Sequence, residues 1–515
     1  MAARIPGARR DATSAGPIAP RDFIHSTNAN ALMASTAPLL RNFVSGGFHA
    51  VESESWIDDL NPSDSSDVIA RVPQGSSDDA RAAVEAAAAA LPAWRSLTGP
   101  ARGEYLHAWA GAIAARKEEL AQAMAREVGK PIGEARGEVG RCIVILRYYA
   151  GDAVRAIGDV IPAGLPGALQ FSLREPLGVV ALITPWNFPL AIPLWKAAPA
   201  LAYGNTVVLK PSEMSSHMAS LLAETAAAAN LPAGVFNVLL GTGPAVGTPL
   251  LQSPEVRGIS FTGSSAVGAV VARIAAERNV RYQTEMGGKN VVIVAPDADL
   301  DAAAALTAAG AMRYAGQKCT ATSRVVVDRK VEGAFLDRLR AKVEALPLGP
   351  VDDPAAAVGP LISARSRDSI HQALAEAQPE RIFGGELPDD ERFRRGYFFA
   401  PLVIRLADPG APLAQRELFG PVLGTLVADD LDHAIDIANR TNYGLSASLF
   451  TRDVRTALHY VHRIDVGLVR VNGDTTGVDP HAPFGGMKGS SSGSREQGPA
   501  AREFYTETKT VQINP

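Results

Sequence analysis

The sequence predicts an α/β fold built on parallel, doubly wound sheets, and three observations indicate it. The chain has 515 residues, 47% of them hydrophobic and 20% charged, which is typical of a folded protein with room for about two to four domains. Its apolar segments are short and do not alternate with polar residues, as expected of strands buried on both faces. Helical segments rich in Ala and Leu separate most of these strands, which favours helical crossovers between parallel neighbours. The predicted strands are 179–183, 206–209, 235–240, 258–261 and 290–294, followed by a second set at 324–328, 402–404, 422–426 and 467–471.

The elements before the first sheet follow from local signals. Residues 1–40 are predicted to be a disordered extension, with a natural start at Met33 or an Arg-rich transit peptide as alternative interpretations. Order is expected from about Arg41. From there the sequence predicts a strand at 42–44, a turn at 61–64, a helix capped by 77–79 that runs to Trp94, and helices near 102–115 and 117–128.

Composition and charge exclude several classes of function. The net charge of −4 lacks the basic excess that is typical of nucleic-acid-binding proteins. Two cysteines, Cys142 and Cys319, provide neither a disulfide scaffold nor a Cys-rich zinc site, so we expect no metal and a reducing, cytoplasmic location. Residues 177–195 carry no charge over the length of a membrane span, but prolines interrupt them. We therefore expect a buried strand that runs into a loop, and no membrane partner.

The local context of Cys319 makes it the candidate nucleophile. A single cysteine is more often a packing residue, and Cys142, next to the apolar segment 143–146, fits that role. Cys319 stands instead in a polar, turn-like segment. There the cation of Lys318 would favour the thiolate.

Two further segments contain possible partners for this thiol. Glu285 lies just before two glycines, which indicates a carboxylate at a chain reversal, and a thiol needs such a general base at neutral pH. Asn187 lies between Pro185 and Pro189, so a rigid loop would present its side-chain NH₂ to an oxyanion. Taken alone, a surface loop for Glu285 and an amide that bonds its own loop for Asn187 are the simpler interpretations.

Signals for phosphate binding are modest. The glycines at 241, 243 and 247 depart from the G-x-G-x-x-G spacing. The segment 261–264 ends a predicted strand, and Gly268 enters the next helix. A strand that leads into a helix N-terminus is a suitable binding site for a pyrophosphate. The simpler interpretation is that the glycines of this segment only form turns.

Together these segments resemble the aldehyde dehydrogenase superfamily over nearly the whole chain from about Arg41 onward. Cys319 lies 34 residues after Glu285, which is similar to the family spacing of nucleophile and base. The motifs that carry the resemblance occur in family order: 184–189 (TPWNFP), 210–213 (KPSE), 261–264 (FTGS), 285–289 (EMGGK), 316–319 (GQKC), 417–421 (ELFGP) and 483–486 (PFGG).

The resemblance implies oxidation of an aldehyde to an acid with NAD or NADP. Cys319 would attack the aldehyde carbon, and Asn187 and the Cys319 backbone N–H would hold the oxyanion. Hydride transfer to the nicotinamide would leave a thioester, and Glu285 would activate the water that hydrolyses it. Glu496 matches a second acid of the family, which relays protons with Lys196.

The resemblance also assigns cofactor contacts. Lys210 and Glu213 match residues that hold the adenosine ribose, and Glu213 should repel a 2′-phosphate, which favours NAD while NADP use stays open. Glu417 and Phe419 match the nicotinamide-ribose end. The other predicted cofactor-binding residues, with Trp186 and Ser264 near the pyrophosphate, are Thr184, Pro185, Trp186, Gly243, Gly247, Phe261, Thr262, Gly263, Ser264, Gly268, Met286 and Gly287.

Within the family, the chain is most similar to the α-ketoglutaric semialdehyde (2,5-dioxopentanoate) dehydrogenases. Arg313 lies six residues before the nucleophile, where succinic semialdehyde dehydrogenases have an arginine that binds the substrate carboxylate. A solvated or internally paired arginine is the other interpretation. Trp195 stands where those enzymes often have another arginine. We expect Arg313, Trp195 and Phe484 to line a site for an aldehyde with a distal carboxylate.

The implied architecture has a Rossmann-like NAD(P)-binding domain at 41–154 and 176–286, an α/β catalytic domain at 287–487, and a β oligomerisation arm at 155–175 and 488–515. Such arms pair across subunits, so a homodimer or homotetramer is expected. A succinate semialdehyde dehydrogenase and a broad-specificity detoxifying enzyme stay open as alternatives. Glu285 argues against a CoA-acylating enzyme, and the intact catalytic residues argue against a non-catalytic binding protein.

Overall fold

The computed structural model describes residues 37–53, 55–155 and 157–515. The predictions for the segment before residue 37 therefore lie outside the described residues. Residues 37–40, however, are already packed: the Leu40 N–H donates to the Arg71 carbonyl and the Arg71 N–H to the Pro38 carbonyl, both at 2.9 Å. Because Leu40 is also buried in the largest apolar core, the predicted boundary at 40 is too late.

The helices and strands alternate along most of the described chain. The helices are α1 (Ser77–Ser96), α2 (Gly99–Ala115), α3 (Lys117–Val128), α4 (Ile132–Asp152), α5 (Ala191–Ala202), α6 (Ser216–Ala228), α7 (Thr248–Gln252), α8 (Ser265–Glu277), α9 (Leu300–Met312), α10 (Glu332–Glu344), α11 (Ala364–Ala377), α12 (Glu391–Arg395), α13 (Pro412–Gln415), α14 (Leu431–Asn439), α15 (Val454–Arg463) and α16 (Gly498–Tyr505). The strands are β1 (Asn42–Val44), β2 (Gly47–His49), β3 (Trp56–Asn61), β4 (Asp64–Pro73), β5 (Val160–Ile161), β6 (Leu169–Pro176), β7 (Val179–Ile183), β8 (Thr206–Lys210), β9 (Phe236–Val238), β10 (Val256–Thr262), β11 (Arg281–Glu285), β12 (Val291–Val294), β13 (Arg324–Asp328), β14 (Glu380–Gly384), β15 (Leu402–Arg405), β16 (Val422–Ala428), β17 (Tyr443–Gly444), β18 (Ser446–Phe450), β19 (Leu468–Val471), β20 (Met487–Lys488), β21 (Ser491–Gly493) and β22 (Thr506–Ile513).

The N-terminal helices agree with the local signals, with one correction and one omission. The N-cap of α1 is Ser76, whose hydroxyl accepts a hydrogen bond from the Asp79 N–H at 3.2 Å, so the helix starts one residue earlier than predicted. Helices α2 and α3 lie where the sequence predicts them. The sequence did not predict α4, because its several glycines lower helix propensity; packing of its buried face compensates for this.

The first sheet is doubly wound, as predicted. Its order is β2-β1-β9-β8-β7-β10-β11-β21, and the five strands from β9 to β11 are parallel. The chain moves outward from β7 through β8 to β9 and then returns to β10 on the other side of β7. This reversal of strand order creates a crevice at the carboxyl ends of β7 and β10, where α/β proteins bind ligands. β21, which lies within the segment predicted as the oligomerisation arm, pairs with β11 in this sheet.

The second sheet has the order β14-β15-β16-β13-β12-β18-β19, and only β14 is antiparallel to its neighbour. It contains all strands of the second predicted set, together with β12, β14 and β18. The strand predicted at 290–294 as the last of the first set is β12, and that placement is wrong, because β12 pairs with β13 and β18 in the second sheet. In the first sheet the strand next to β10 is β11, which the sequence did not predict because most of its residues are polar. The sequence did not predict β18, because its small polar residues interrupt the apolar run. Each of the two large sheets is covered by its own apolar core residues.

A separate three-stranded sheet has the order β22-β6-β5. β6 and β22 pair antiparallel over eight residues, from Leu169 opposite Ile513 to Pro176 opposite Thr506.

The uncharged segment 177–195 forms β7, a loop and the first turn of α5, as expected of a buried strand that leaves into a loop. Across the described ranges, no helix combines the length and apolar character needed to span a membrane.

Candidate active site

The crevice between β7 and β10 positions the loops that contain Asn187 and Ser264. Ile183, the last residue of β7, lies opposite Phe261 in β10, so the two loops leave the sheet side by side. Ser264 is the N-cap of α8 and accepts a hydrogen bond from the Val267 N–H at 3.4 Å. The segment predicted to bind pyrophosphate therefore lies at a helix N-terminus, where free N–H groups favour anions.

A cavity of about 240 Å³ unites the predicted nucleophile with the predicted cofactor-binding residues. Its wall combines residues predicted to be catalytic with residues predicted to bind the phosphates and the nicotinamide end of the cofactor. These residues follow strands of both large sheets. Its lining residues are Pro185, Trp186, Asn187, Thr262, Gly263, Ser264, Met286, Gly287, Cys319, Glu417 and Phe419.

The segment before Cys319 has an unusual backbone. Tyr314, Ala315 and Gly316 are consecutive residues with positive φ, at 55°, 50° and 66°. Two of them carry a Cβ and are strained there, and such strain persists only where the surroundings enforce it. A Cβ on Gly316 would lie 2.5 Å from the Gly420 carbonyl oxygen, so only glycine fits. This tight turn places the nucleophile loop between the two sheets.

The environment of Cys319 disfavours its thiolate. Burial raises the pKa of the Cys319 thiol to about 12, and the nearby carboxylates of Glu417 and Glu285 add to the effect. The Lys318 ammonium is engaged elsewhere, 2.8 Å from Glu134. The prediction that Lys318 favours the thiolate is therefore wrong, and the thiol needs a base. Cys142, in contrast, is buried in the apolar core, as predicted for a packing residue.

Glu285 ends β11 in an extended segment rather than at the predicted chain reversal. Its Oε2 accepts a hydrogen bond from the Ser491 hydroxyl at 2.6 Å, and its Oε1 is buried with no hydrogen-bond partner in the part of the chain that the structure describes. Burial raises the pKa of Glu285 well above its usual range, and the charge of Glu496 contributes in the same direction. The carboxylate is consequently a stronger base than an exposed one. The sequence did not indicate Ser491, which lies in a Ser/Gly-rich stretch.

Asn187 is buried, and its side-chain Nδ2 donates to the Gln317 carbonyl at 3.1 Å. Gln317 lies two residues before Cys319, so this hydrogen bond joins the predicted oxyanion donor to the nucleophile loop. Gln317 is itself held by its side chain, which donates to the Pro360 carbonyl at 3.0 Å and accepts from the Ile362 N–H at 2.9 Å. The amide of Asn187 is thus fixed beside the thiol.

Lys196 and Glu496 form a buried ion pair behind Glu285. The Ser260 hydroxyl donates to the Glu496 carboxylate at 3.2 Å, which extends the polar network. The indole N–H of Trp195, a predicted substrate residue, donates to Glu496 at 2.7 Å. The Trp195 ring lies 5.6 Å from the ring of Phe484, whose apolar cluster packs against Cys319.

The remaining predicted residues fit a dinucleotide. The hydroxyls of Thr184 and Thr262 are buried in the crevice and have no hydrogen-bond partner within residues 37–53, 55–155 and 157–515, which leaves them available to a ligand. The Lys210 Nζ donates to Glu213 at 3.1 Å beside Gly247, which follows Gly243 in a short helical turn. Gly268 allows Met286 to pack closely, since a Cβ on Gly268 would lie 2.4 Å from the Met286 sulfur. Gly287 does the same for Glu417, since a Cβ on Gly287 would lie 2.1 Å from the Glu417 carboxylate.

Glu417 and Phe419, which are predicted to contact the nicotinamide end of the cofactor, both line the cavity. Burial raises the pKa of Glu417 to about 7, although its carboxylate accepts a hydrogen bond from the Gly288 N–H at 3.1 Å. The Phe419 ring lies edge-on to the ring of Trp186 at 5.7 Å, so an aromatic wall faces the carboxylate.

Arg313 follows the last residue of α9. Its side chain is exposed, and within the described ranges it has no ion pair or hydrogen bond. The alternative of an internally paired arginine is therefore excluded for these ranges, which leaves a solvated guanidinium or one that is free to bind an anionic substrate.

The fold and the site place a cysteine thiol beside a crevice that is suited to a dinucleotide. The chain belongs to the aldehyde dehydrogenase family, whose profile matches residues 48–511. It is 43% identical over 477 residues to an alpha-ketoglutaric semialdehyde dehydrogenase of Bacillus subtilis, and the match covers 92% of this chain and 98% of the relative. An alpha-ketoglutarate semialdehyde dehydrogenase of Haloferax volcanii is 41% identical over 475 residues, with the same coverage of 92% and 98%.

The fold is shared with solved members of the family. The crystal structure of betaine aldehyde dehydrogenase from Staphylococcus aureus in complex with NAD⁺ superimposes with a TM-score of 0.89 at 32% identity, and covers 92% of this chain and 95% of that chain. The chain is accordingly an NAD(P)-dependent, acid-forming aldehyde dehydrogenase, as the sequence predicts.

Proposed function

We propose that the chain oxidises a semialdehyde with a distal carboxylate, such as 2,5-dioxopentanoate, to the corresponding acid. The observation that carries this proposal is the exposed guanidinium of Arg313, six residues before the proposed nucleophile, which has no ion pair or hydrogen bond among the described residues. A guanidinium binds a carboxylate with two parallel hydrogen bonds, which an uncharged alkyl aldehyde cannot form. The substrates named for the Bacillus and Haloferax relatives support the same class.

In the proposed mechanism, Cys319 attacks the aldehyde carbon to form a thiohemiacetal. Because the pKa of the thiol is raised to about 12, its proton must leave during the attack, and Glu285 is the base available. The Asn187 side-chain amide and the Cys319 backbone N–H stabilise the oxyanion. A bound nicotinamide dinucleotide supplies the hydride acceptor for this chemistry.

The proposed second half-reaction releases the acid from a Cys319 thioester. Glu285 activates the hydrolytic water, and its buried position beside Glu496 gives the abstracted proton a route inward. Glu496, which forms an ion pair with the Lys196 ammonium, is the next group in that direction. Covalent catalysis thereby divides one difficult oxidation into two easier steps.

We propose NAD as the preferred cofactor. The Glu213 carboxylate, 3.1 Å from Lys210, lies where the family holds the adenosine ribose and would repel a 2′-phosphate. The predicted contacts of Trp186, Ser264, Glu417 and Phe419 with the rest of the dinucleotide belong to the same proposal.

We also propose that the protein forms a homodimer or homotetramer and that it is located in the cytoplasm. β22 is an edge strand of the three-stranded sheet, and an uncovered edge of this length invites pairing with another subunit. A nucleophilic Cys319 must stay reduced, which a reducing compartment provides.

The test is a panel of aldehydes with and without a distal carboxylate, assayed with NAD and NADP and without CoA. We expect the highest kcat/KM for 2,5-dioxopentanoate with NAD. Arg313→Ala should raise KM for this substrate about 10–100-fold, the value of a lost charge-assisted hydrogen bond, and leave KM for propanal nearly unchanged. Arg455→Ala, which removes an exposed arginine on α15, is the matched control.

Three outcomes would overturn parts of the proposal. Equal KM effects of Arg313→Ala on both aldehydes would refute the role of Arg313. A wild-type preference for succinic semialdehyde would favour that alternative, and a preference for propanal would favour a broad-specificity enzyme.

A further inference from the structure

A buried ion pair outside the catalytic residues joins Lys130 to Glu138. Lys130 lies just before α4, after the left-handed Gly129, and Glu138 lies within α4. Each side chain is only 1% exposed. Removing two charges from water is costly, and an apolar pair of similar volume often stabilises a fold equally well. Stability alone therefore does not explain the pair, and its contacts point to another role.

The Lys130 ammonium contacts both loops that form the oxyanion site. Its Nζ donates to the Asn187 carbonyl at 2.7 Å, at the residue whose side chain is the proposed oxyanion donor. The same Nζ lies 4.1 Å from the ring centroid of Phe188 and 4.5 Å from that of Tyr314. Tyr314 opens the left-handed turn that precedes Cys319. One cation thus contacts the donor loop and the nucleophile loop together.

Glu138 holds the other end of the donor loop. Its Oε1 accepts hydrogen bonds from the N–H groups of Leu190 and Ala191, at 3.1 and 3.0 Å. These groups open α5, where Leu190 provides no side-chain cap of its own. A carboxylate at a helix N-terminus satisfies free N–H groups and is favoured by the helix dipole. The loop from Asn187 to Ala191 is therefore held at both ends by one ion pair.

We propose that Lys130 and Glu138 are positioning residues that orient the Asn187 amide toward the oxyanion. Neither residue touches a reacting atom, and both act through the backbone of the donor loop. Displacement of a catalytic group by about 1 Å can cost about 100-fold in rate, so loss of either anchor should slow formation of the tetrahedral adduct. This inference rests on the proposed role of Asn187 and is independent of which aldehyde is the natural substrate.

The test is a double-mutant cycle on single-turnover NADH formation with propanal and saturating NAD. Lys130→Met should slow this step about tenfold or more in the wild-type background. In an Asn187→Ala background the same change should cost less than about threefold, because the amide it positions is already gone. NAD affinity and the rate of Cys319 alkylation by iodoacetamide should stay within about twofold in both backgrounds.

Arg136→Met, which removes an exposed charge on α4 and its ion pair with Glu118 on α3, is the matched control. If Lys130→Met does not fold, Glu138→Gln provides the same cycle with a smaller structural change. An equal loss in both backgrounds, or a parallel loss of NAD affinity and thiol reactivity, would overturn the positioning role. Failure of wild-type enzyme to oxidise 2,5-dioxopentanoate while it oxidises propanal would refute the substrate proposal alone.

Discussion

Removal of the Ser491 hydroxyl should shift the pH dependence of catalysis. The Ser491→Ala variant loses the 2.6 Å hydrogen bond to Glu285 Oε2, and no described residue donates a hydrogen bond to the other carboxylate oxygen to compensate. This hydrogen bond opposes the effect of burial and lowers the pKa of Glu285. A hydrogen bond to a charged group contributes about 1.5–3 kcal/mol, and one pKa unit corresponds to about 1.4 kcal/mol. Its loss should therefore raise the pKa of Glu285 by about one to two units.

The assay is the pH profile of kcat. A general base is active when it is ionised, so activity is lost as the pH falls through its pKa, and a raised pKa moves this acidic limb to higher pH. We expect the limb of Ser491→Ala to lie about one to two units above that of the wild type. Ser492→Ala is the matched control, because that hydroxyl bonds Thr284 at a similar 2.6 Å. An unchanged acidic limb in Ser491→Ala would refute the assignment of Glu285 as the base tuned by Ser491.

Three further predictions concern charge elsewhere in the chain. Burial raises the pKa of Asp59 to about 7. Asp59 ionises at about 3.8 in the unfolded chain and at about 7 in the folded protein, so the free energy of unfolding falls as the pH rises between these values. Asp59→Asn should therefore increase Tm at pH 8 more than at pH 5. An equal shift at both pH values would contradict this sign. Glu213→Ala should lower KM for NADP by about tenfold, and unchanged cofactor kinetics would show that Glu213 does not discriminate. Lys318→Met should leave the pH profile of Cys319 alkylation by iodoacetamide within about 0.3 units of wild type, because Lys318 pairs with Glu134; a clear upward shift would restore Lys318 as a thiolate-stabilising cation.

The sequence predicted those features that depend on local pattern. Uninterrupted apolar segments such as Val179–Ile183 identified the parallel strands, because a strand buried on both faces has no polar side. Family motifs located Cys319, Glu285 and Asn187, and the structure brings Cys319 and Asn187 into one cavity. Helix α4 was not predicted, since its glycines lower helix propensity and its buried face is stabilised by packing against α2, α3 and α5.

The contacts that tune the site could not be predicted, because they join distant parts of the chain. Lys130 is 57 residues from the Asn187 carbonyl that it contacts, and Ser491 is 206 residues from Glu285. The Lys318 prediction failed for the same reason: its neighbour in sequence is Cys319, but its neighbour in space is Glu134. Adjacency in sequence indicated that the Lys318 charge acts on the Cys319 thiol, whereas in the fold this charge is paired with Glu134.

In the proposed mechanism, catalysis passes through a thioester on Cys319. Peptide mass mapping of wild-type enzyme, quenched in acid during the first turnover with NAD and 2,5-dioxopentanoate, tests this step, since thioesters survive acid. We expect an acyl adduct on the Cys319 peptide, none on the Cys142 peptide, and no adduct or NADH from Cys319→Ala. NADH formation with an unmodified Cys319, or an adduct on Cys142, would refute the thioester mechanism.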